Sequence, residues 1–402
     1  MNQGFNVVYA SQIPGVALDC DLMAGTKIGG GTATDNTAAF NSLLATASAT
    51  NPIKLIIDGS SLVSGIVLPS TGYVCLEGID RFNSGFYQKS ASNADVIQNG
   101  IPYINIGGFT PTGTAPALGG PVEIRNLFIN GNRGNGTNGN SNSGDPRGIP
   151  STYWFANICL YGVNGLVIEN VYSYDSSAYS FRLINCANGG IRNNIIFNPN
   201  VTPGLNQDCI HMCKPFTDFT IHGNLMYNNN SDDGVAINAP EGYSSGTMDR
   251  IVVHSNTYTG VLHAIRIYGA NDGDVGTVNF SNNTGLASTA VIWVGVGTAG
   301  TGDIGARVII GSNNVFQMTS VGSWLDLTSN VGDITLSNCV WLSPVATGNF
   351  VAGSPGTASS ITLNNCQIYR TIAGNNTSTN FAAGSSYTIS KFTMNNCQVV
   401  NE

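Results

Sequence analysis

The chain has 402 residues and a formal net charge of −8, and only 9% of its residues are charged. Its 15 Lys and Arg residues leave no cationic stripe for phosphates, so nucleic-acid binding is disfavoured. No apolar run approaches the roughly 20 residues of a membrane span. With 42% hydrophobic residues and 50 glycines, the composition predicts a large core built from short strands and tight turns, and excludes a disordered chain.

The first predicted element is a helix near residues 35–46. Thr34 offers a capping residue, and Phe40 and Leu44 follow at helical spacing. The segments Ile53-Lys-Leu-Ile-Ile57 and Val63-Ser-Gly-Ile-Val-Leu68 then have the composition of strands. A helix at this position would cover the first strands, whose unpaired edges otherwise invite aggregation.

Residues 15–80 resemble the opening of the pectate-lyase-like superfamily. That superfamily carries a "TDDTAAI" helix, then a strand, a Gly and an "I-x-LPS" segment. Here the corresponding segments read Thr34-Asp-Asn-Thr-Ala-Ala-Phe40 and Ile66-Val-Leu-Pro-Ser70. The resemblance implies a right-handed parallel β-helix, a fold shared by secreted polysaccharide enzymes and phage tailspikes, and it specifies no reaction.

A long insertion interrupts the regular pattern at residues 131–148, which are rich in Gly and Asn. Loops of this length in a compact fold are usually functional. It could flank a substrate groove with Arg133 or Arg147 touching an anionic ligand, or it could be a solvated loop.

A repeat organises the rest of the chain. Alternating apolar residues end in Asn and continue with an apolar residue, at intervals of roughly 23 to 32 residues. Clear copies are Ile168-Glu-Asn170, Ile191-Arg-Asn193-Asn194, Phe280-Ser-Asn282-Asn283 and Leu336-Ser-Asn338-Cys339. This period predicts a right-handed parallel β-helix of about ten coils, each with three short strands. Residues 1–50 are then a cap region and residues 51–402 the β-helix.

The residues at the repeated turn have a structural explanation. Asn tolerates left-handed backbone conformations, and its side-chain amide can bond its copy in the next coil. Cys339, Cys366 and Cys397 fall into the same register, which predicts a buried thiol ladder rather than a metal site. The total of nine cysteines is odd, so at least one thiol stays unpaired.

Three segments share one register and carry groups capable of catalysis. They are Asp208-Cys-Ile-His-Met212, Asp233-Gly-Val-Ala-Ile237 and His263-Ala-Ile-Arg-Ile267. If they are stacked strands, Asp208, Asp233 and His263 lie above one another at about 4.8 Å per layer. Acid/base cleavage of a sugar chain requires such a group of carboxylates and an imidazole.

The same region resembles the active site of the polygalacturonases, glycoside hydrolase family 28. That family has Asn-x-Asp, then an Asp-Asp pair about one coil later, then Gly-His-Gly. Asp208 matches the first aspartate, Asp232 and Asp233 match the pair, and His263 matches the histidine. The resemblance implies an inverting hydrolase in which Asp232 is the acid, Asp208 and Asp233 hold the water, and His263 tunes the acid or contacts the sugar.

The match departs from the family at the substrate-recognition residues. Leu262 and Ala264 replace the glycines beside the histidine, and the family's Arg-x-Lys has no counterpart in the next coil. A neutral or differently charged sugar is therefore as consistent with the sequence as galacturonate. The predicted substrate-binding residues are Arg182, His211, Lys214, Glu241, Arg266 and Trp293.

Several of these residues admit a second interpretation. The Asp232–Asp233 pair could be a turn that bonds its own backbone, and the column Arg182, His211 and Arg266 could be solvated polar residues. Glu241 could serve as the acid instead of Asp232, and Trp293 could stack on a pyranose face.

Other functions remain open at this point. A polysaccharide lyase would use Ca²⁺ held by the aspartates, whereas a hydrolase or transglycosylase needs no cofactor. A phage tailspike-like or adhesin protein would only bind glycan. We expect a polysaccharide or oligosaccharide partner, no nucleic acid or membrane, and a monomer or homotrimer. We also expect an extracellular or phage-particle location, although the opening Met1-Asn-Gln-Gly-Phe5 shows no signal peptide.

Overall fold

The computed structural model describes residues 4–90, 92, 94–99, 113–133, 155–199, 207–269, 274–296, 305–320, 322–343, 350–353, 356–370, 382–383 and 387–401. These residues form a β-helix in which every pair of stacked strands is parallel. Each complete coil passes through three stacks of strands, which we call sheets A, B and C in chain order.

Sheet A begins with β1 (Asn6–Tyr9), which pairs with β2 (Ile53–Ile57). It continues with β5 (Val74–Gly78), β8 (Val122–Arg125), β11 (Leu166–Glu169), β18 (Met248–His254), β20 (Thr277–Ser281), β22 (Val308–Ser312), β25 (Val331–Ser337), β28 (Gly356–Asn364), β31 (Tyr387–Ile389) and β32 (Phe392–Asn395). Two long strands, β13 (Tyr179–Arg192) and β15 (Ile210–His222), run from sheet C into sheet A.

Sheet B contains β3 (Ser60–Val63), β6 (Gly85–Gln88), β9 (Phe128–Asn130), β12 (Tyr172–Tyr174), β14 (Ile195–Phe197), β16 (Leu225–Tyr227), β23 (Val315–Met318), β26 (Val340–Ser343), β29 (Gln367–Arg370) and β33 (Gln398–Asn401). Two further strands, β19 (Thr257–Gly269) and β21 (Thr284–Val296), run from sheet B into sheet C.

Sheet C contains β4 (Ile66–Leu68), β7 (Ile97–Asn99), β10 (Ala156–Tyr161), β17 (Val235–Asn238), β24 (Ser323–Leu327), β27 (Val351–Gly353) and β30 (Ala382–Ala383). The first halves of β13 and β15 and the second halves of β19 and β21 complete it. The candidate site lies where the chain enters this sheet.

The interior is filled by apolar side chains that repeat at one register position in successive coils. In sheet A, Ile124 pairs with Ile168, Ile168 with Ile191, Ile191 with Ile221 and Ile221 with Val253, and all five are fully buried. This continuous column is what a repeat unit needs, because a single coil cannot bury its own apolar face.

The turn between sheets A and B contains two parallel asparagine ladders. At the outer position, residues such as Asn193, Asn282 and Asn313 have a positive φ, and Asn313 Nδ2 donates to Asn282 Oδ1 at 3.0 Å. At the next position the buried side chains bond one another through five coils: Asn194, Asn224, Asn256, Asn283 and Asn314. The outer asparagines show both properties predicted for the turn residue, a positive φ and an amide bond to the copy in the next coil, and the buried inner ladder adds a second row of amide bonds.

Cysteines replace asparagine in the inner ladder toward the C-terminus. Asn314 Nδ2 lies 3.8 Å from Cys339 Sγ, and the backbone N–H of Cys366 points at Cys397 Sγ at 3.4 Å. Cys339 and Cys366 are buried, and all nine cysteines are free thiols. The predicted thiol ladder is present.

A short helix of about two turns, α1 (Thr37–Leu44), covers the N-terminal end of the β-helix. Its buried Phe40 ring packs edge-on against Phe86, with 5.9 Å between ring centroids. The Asn41 side chain accepts from the N–H of Val67 and donates to the carbonyl of Gly65, so it satisfies backbone groups beside β4. The helix begins at Thr37 rather than near Thr34, because Asp35 and Asn36 form the preceding turn.

Within the residues that the structure describes, no helix is long and apolar enough to cross a bilayer.

Candidate active site

The three segments singled out in the sequence stack in the predicted register. Ile210 pairs with Val235 and Val235 pairs with Ile265, in β15, β17 and β19. Asp208, Asp233 and His263 each stand two residues before these positions, so they lie above one another at the entrance to sheet C. The stacking of these three candidate catalytic residues therefore follows from strand register.

A bend in the chain brings Asp208 and His211 to the same side. Cys209 and Ile210 are both fully buried in the core, so strict alternation fails between these two residues. Asp208 and His211 consequently both point away from the core, and His211 Nδ1 lies 2.6 Å from Asp208 Oδ2. Asp208 Oδ1 also accepts a hydrogen bond from the backbone N–H of Asp233 at 3.1 Å.

The second group consists of Asp232, Asp233 and His263. One ligand atom from each of these three side chains lies within 4.8 Å of the others. His263 Nδ1 lies 2.6 Å from Asp233 Oδ1, and Arg266 Nη1 lies 3.7 Å from Asp233 Oδ2. The side chain of Asp233 thus contacts His263 and Arg266, which both lie in the next coil.

Burial and crowding of carboxyls change the protonation of this group. Burial, together with the neighbouring Asp208 carboxylate, raises the pKa of Asp233 from 3.8 to about 8. Burial and the charges of Asp233 and Asp208 raise the pKa of Asp232 well above 3.8. Burial also lowers the pKa of His263 to about 4. Burial thus favours the neutral forms of Asp233 and His263, whose Oδ1 and Nδ1 atoms share a hydrogen bond.

His211 lies between two carboxylates rather than in an open groove. Its Nδ1 faces Asp208, its Nε2 lies 3.1 Å from Glu241 Oε2, and its ring stacks on Tyr179 with 4.2 Å between centroids. All four side chains are buried. Asn238 Nδ2 donates to Glu241 Oε1 at 2.9 Å, which fixes the glutamate on the far side of the histidine.

The charge of this buried group is set by its carboxylates. Burial alone would lower the pKa of His211, but the Cys213 sulfur and the carboxylates of Glu241 and Asp208 raise it well above 6.5. Burial likewise opposes ionisation of Glu241, yet the His211 charge lowers the pKa of Glu241 below 4.5. His211 is therefore an imidazolium held between two carboxylates.

Exposure shows on which side the site opens. Asp208 and Asp233 are only 1% and 0% exposed, whereas Asp232 retains 7% and the side chains of His263 and Arg266 retain 12% and 19%. The accessible groups are therefore Asp232, His263 and Arg266.

Arg266 is held by both charge and aromatic rings. Its Cζ lies 4.6 Å from the Tyr268 ring centroid and 5.1 Å from that of Trp293. The carboxylates of Asp233 and Asp232 keep its pKa above the usual value although burial opposes this. Arg182 pairs in register with His211 and lies over the Tyr179 ring, but it is only 1% exposed.

Other candidate residues lie away from the accessible side chains. Lys214 is fully buried, and its Nζ bonds Asp274 Oδ1 at 2.8 Å. Glu241 faces His211, so the position expected for an alternative acid is occupied by an ion pair. Arg133 is buried and donates to the carbonyl of Ser177. Arg147 and residues 134–148 of the insertion lie outside the described residues. The substrate-binding roles of all these residues stay predictions.

Asp326 is a member of the site that sequence reasoning missed. It pairs in register with Trp293, which itself pairs with Arg266. Burial raises the pKa of Asp326 above 3.8, although nearby His263 opposes this shift. A signal did exist in the sequence, because Asp326 occupies the fourth position of the segment Ser323-Trp-Leu-Asp-Leu327.

The donor set fits Ca²⁺ poorly. Ca²⁺ takes six to eight oxygen ligands, whereas the exposed group offers two carboxyls that hold protons, an imidazole, and a guanidinium 3.7 Å from Asp233. No step through a metal ion is derived from this arrangement.

Comparison with protein-family models gives no match, and comparison with curated protein sequences gives none either. Solved structures do match. A family 28 exopolygalacturonase from Yersinia enterocolitica is 13% identical, with a TM-score of 0.58, over 98% of this chain and 78% of that chain. A GH87 alpha-1,3-glucanase from Streptomyces thermodiastaticus is 15% identical, with a TM-score of 0.53, over 100% of this chain and 69% of that chain.

A third similar structure is a double mutant of the tailspike protein of E. coli bacteriophage HK620. It is 10% identical, with a TM-score of 0.65, over 95% of this chain and 66% of that chain. Identities this low show the fold alone. The chain has the right-handed parallel β-helix fold of the pectate-lyase-like proteins. The fold prediction, including the short capping helix, is confirmed.

Proposed function

We propose that this protein is a glycoside hydrolase that cleaves a polysaccharide or oligosaccharide, with inversion at the anomeric carbon. The observation that carries the proposal is the geometry of the aspartates: Asp208 and Asp233 stack in register, and Asp232 and Asp233 lie together beside His263. Burial raises the pKa of both Asp232 and Asp233, which favours a carboxyl that keeps its proton. Inverting hydrolysis needs one carboxylic acid to protonate the leaving oxygen and one carboxylate to activate water.

Asp232 suits the role of general acid. It is the most accessible of the three aspartates, and its raised pKa keeps its proton at neutral pH. In the proposed reaction, Asp232 gives this proton to the glycosidic oxygen as the bond to the anomeric carbon breaks. His263 and Arg266 border the acid on the accessible side.

Asp208 suits the role of general base. It accepts hydrogen bonds from the His211 imidazolium and from the Asp233 backbone, and both orient its carboxylate. Water attacks the anomeric carbon on the face opposite the leaving oxygen and gives its proton to Asp208. The neutral Asp233 carboxyl orients His263 rather than accepting a proton, which differs from the role that the family resemblance implies.

The similar structures support polysaccharide as the substrate class. They include exopolygalacturonases, an alpha-1,3-glucanase and a mannuronan C-5 epimerase, all of which are carbohydrate-active proteins. A binding-only function is the second candidate, because a tailspike protein and the Streptococcus pneumoniae adhesin PfbA share the fold as well. A phage-particle or extracellular location and a monomer or homotrimer remain part of this proposal.

The test is a screen of the purified protein against polysaccharides that reads reducing ends and ultraviolet absorbance together. We expect new reducing ends without absorbance from unsaturated sugars, and a loss of about 10²-fold or more in kcat for Asp232→Asn and Asp233→Asn. Asp333→Asn is a matched control, because Asp333 lies in β25 of sheet A, where its carboxylate accepts a hydrogen bond from the Ser360 hydroxyl.

Three results would contradict the assignment. Unsaturated products would show a lyase, products longer than the substrate would show a transglycosylase, and full activity of Asp232→Asn would remove the acid. Binding without cleavage of any polymer would favour the tailspike-like or adhesin candidate. Melting curves of the variants establish that a loss of turnover is not a loss of fold.

A further inference from the structure

In the coils that follow Arg266, the described residues of the sheet C wall include no lysine or arginine. The outward column continues from Arg266 to Trp293 and Asp326 in successive coils, at about 4.8 Å per coil. In the sequence, no Lys or Arg occurs between Arg266 and Arg307 or between Arg307 and Arg370. Arg307 is exposed and directly precedes β22 of sheet A, so it belongs to a different face.

Trp293 is positioned with an aromatic surface beside the acid group. Its ring centroid lies 6.0 Å from that of His263 and 5.4 Å from that of Tyr268. Its six-membered ring lies so close over Gly295 that a Cβ at this glycine would overlap it. The indole is therefore held flat along the wall, partly exposed, instead of pointing outward.

Asp326 follows Trp293 in the same column and has a free carboxylate. It is half-buried, and within the described part of the chain it makes no hydrogen bond and no ion pair. A half-buried carboxylate without a partner can still accept hydrogen bonds from a ligand, and sugar hydroxyls are suitable donors.

We propose that Trp293 and Asp326 form a subsite for a neutral sugar residue, next to the proposed cleavage point. This inference rests on the proposed function, whose substrate class it narrows. The indole covers the apolar face of the pyranose ring, and the Asp326 carboxylate accepts hydrogen bonds from its hydroxyls.

A uronate residue does not fit this subsite. Its carboxylate would meet Asp326 without a compensating cation, and like charges at short range are unfavourable. Arg266 does not provide that cation, because it stands two coils before Asp326 in the column and its guanidinium lies toward Asp233 and against the rings of Tyr268 and Trp293. A neutral sugar is therefore favoured in two ways: the indole attracts it, and the Asp326 carboxylate repels a competing uronate.

The experiment compares polymers that differ in charge. Polygalacturonate and its carboxyl-reduced derivative form a matched pair, and alginate, an α-1,3-glucan and bacterial O-polysaccharides without acidic sugars extend the set. Retention in affinity gels is measured with Asp232→Asn, and reducing ends are measured with the wild type. The subsite variants are Trp293→Ala, Asp326→Asn and Gly295→Ala, and Asp333→Asn is the control.

We expect retention and cleavage with neutral polymers only. Trp293→Ala, Asp326→Asn and Gly295→Ala should each raise KM about tenfold with a smaller change in kcat, because they remove binding shared by the ground and transition states. Gly295→Ala keeps the tryptophan but displaces its indole, together with the nearby Thr328 hydroxyl. This variant therefore tests whether the position of the indole matters, whereas Trp293→Ala tests whether the indole is needed at all.

The outcomes separate this inference from the proposed function. Cleavage of polygalacturonate or alginate as fast as of any neutral polymer would overturn the neutral subsite and leave the hydrolase standing. Trp293-dependent retention on a neutral polymer without any cleavage would support the subsite and remove the hydrolase. No retention on neutral polymers, or retention that all three subsite variants leave unchanged, would overturn the subsite.

Discussion

His211 illustrates how a residue's surroundings change its expected role. Its place in the outward column suggested contact with substrate, but it is buried between Asp208 and Glu241. A charged imidazole in such a position orients one carboxylate and compensates both. We therefore treat His211 and Glu241 as positioning residues that act through Asp208.

The variant Glu241→Gln tests this role. It removes the negative charge facing His211 Nε2, so the pKa of His211 should fall, since Glu241 raises that pKa in the native protein. The chain has only four histidines, so the His211 imidazole signal can be followed by NMR titration. We expect the His211 titration to move to lower pH and kcat to fall about tenfold with little change in KM.

Glu77→Gln is the control for this experiment, because Glu77 pairs with Lys54 on sheet A. An unchanged His211 titration in Glu241→Gln would show that the glutamate does not set the charge of the imidazole. A lower kcat with an unchanged titration would assign the effect to distorted structure instead.

At the scale of the element, the turn between sheets A and B explains why coils stack in a fixed register. Asn256 Oδ1 accepts from both the backbone N–H and the Nδ2 of Asn224, and Asn256 Nδ2 donates to the carbonyl of Ile221 and to Asn283 Oδ1. Asn256 thus satisfies two backbone groups of the preceding coil and bonds the side-chain amides of both neighbouring coils, which no apolar residue can do.

Replacing Asn256 by Ala should therefore destabilise the protein strongly. The change removes the side-chain partner of the buried Asn224 backbone N–H and of the Ile221 carbonyl, and each unsatisfied group costs roughly 1–3 kcal/mol. We expect a loss of about 2–5 kcal/mol in the free energy of unfolding, measured by denaturant titration. Asn282→Gly, at the exposed outer position of the next coil where φ is positive, should change the free energy of unfolding by about 1 kcal/mol or less. Equal effects of the two variants would contradict the distinction between inner and outer ladders.

At the scale of the whole molecule, a stack of coils must protect its ends. Each coil contacts mainly its neighbours, so the first coil would expose its apolar interior without a cover. Helix α1 supplies that cover through Phe40 and Leu44, and its Asn41 bonds backbone groups near β4.

Phe40→Ala should weaken this end selectively. Truncating a fully buried phenylalanine costs about 3–5 kcal/mol, and the loss should concentrate in the coils that α1 covers because cooperativity along the stack is local. Hydrogen exchange should accelerate in β2, β3 and β4 more than in β25 and β28. Ser42→Ala, on the exposed side of the helix, is the control. Uniform acceleration along the chain would show that the protein unfolds as one unit.

Much of the architecture was determined by the sequence itself. In stacked coils, residues at the same register position meet, so periodicity predicted the turn asparagines, the cysteine ladder and the column of Asp208, Asp233 and His263. The helix was predicted at 35–46 and lies at Thr37–Leu44, a difference confined to its ends.

Only the tertiary structure decided which side chains pair within and across those columns. Lys214 is directed to Asp274, 60 residues away, and the bend at Cys209 turns His211 toward Asp208. These pairings depend on how each chain segment enters its strand, and register alone does not specify it. The same holds for Asp326, whose place beside Trp293 has meaning only once the wall of sheet C is assembled. The sequence thus determined the column of candidate catalytic residues, and packing decided their charges and the surface beside them.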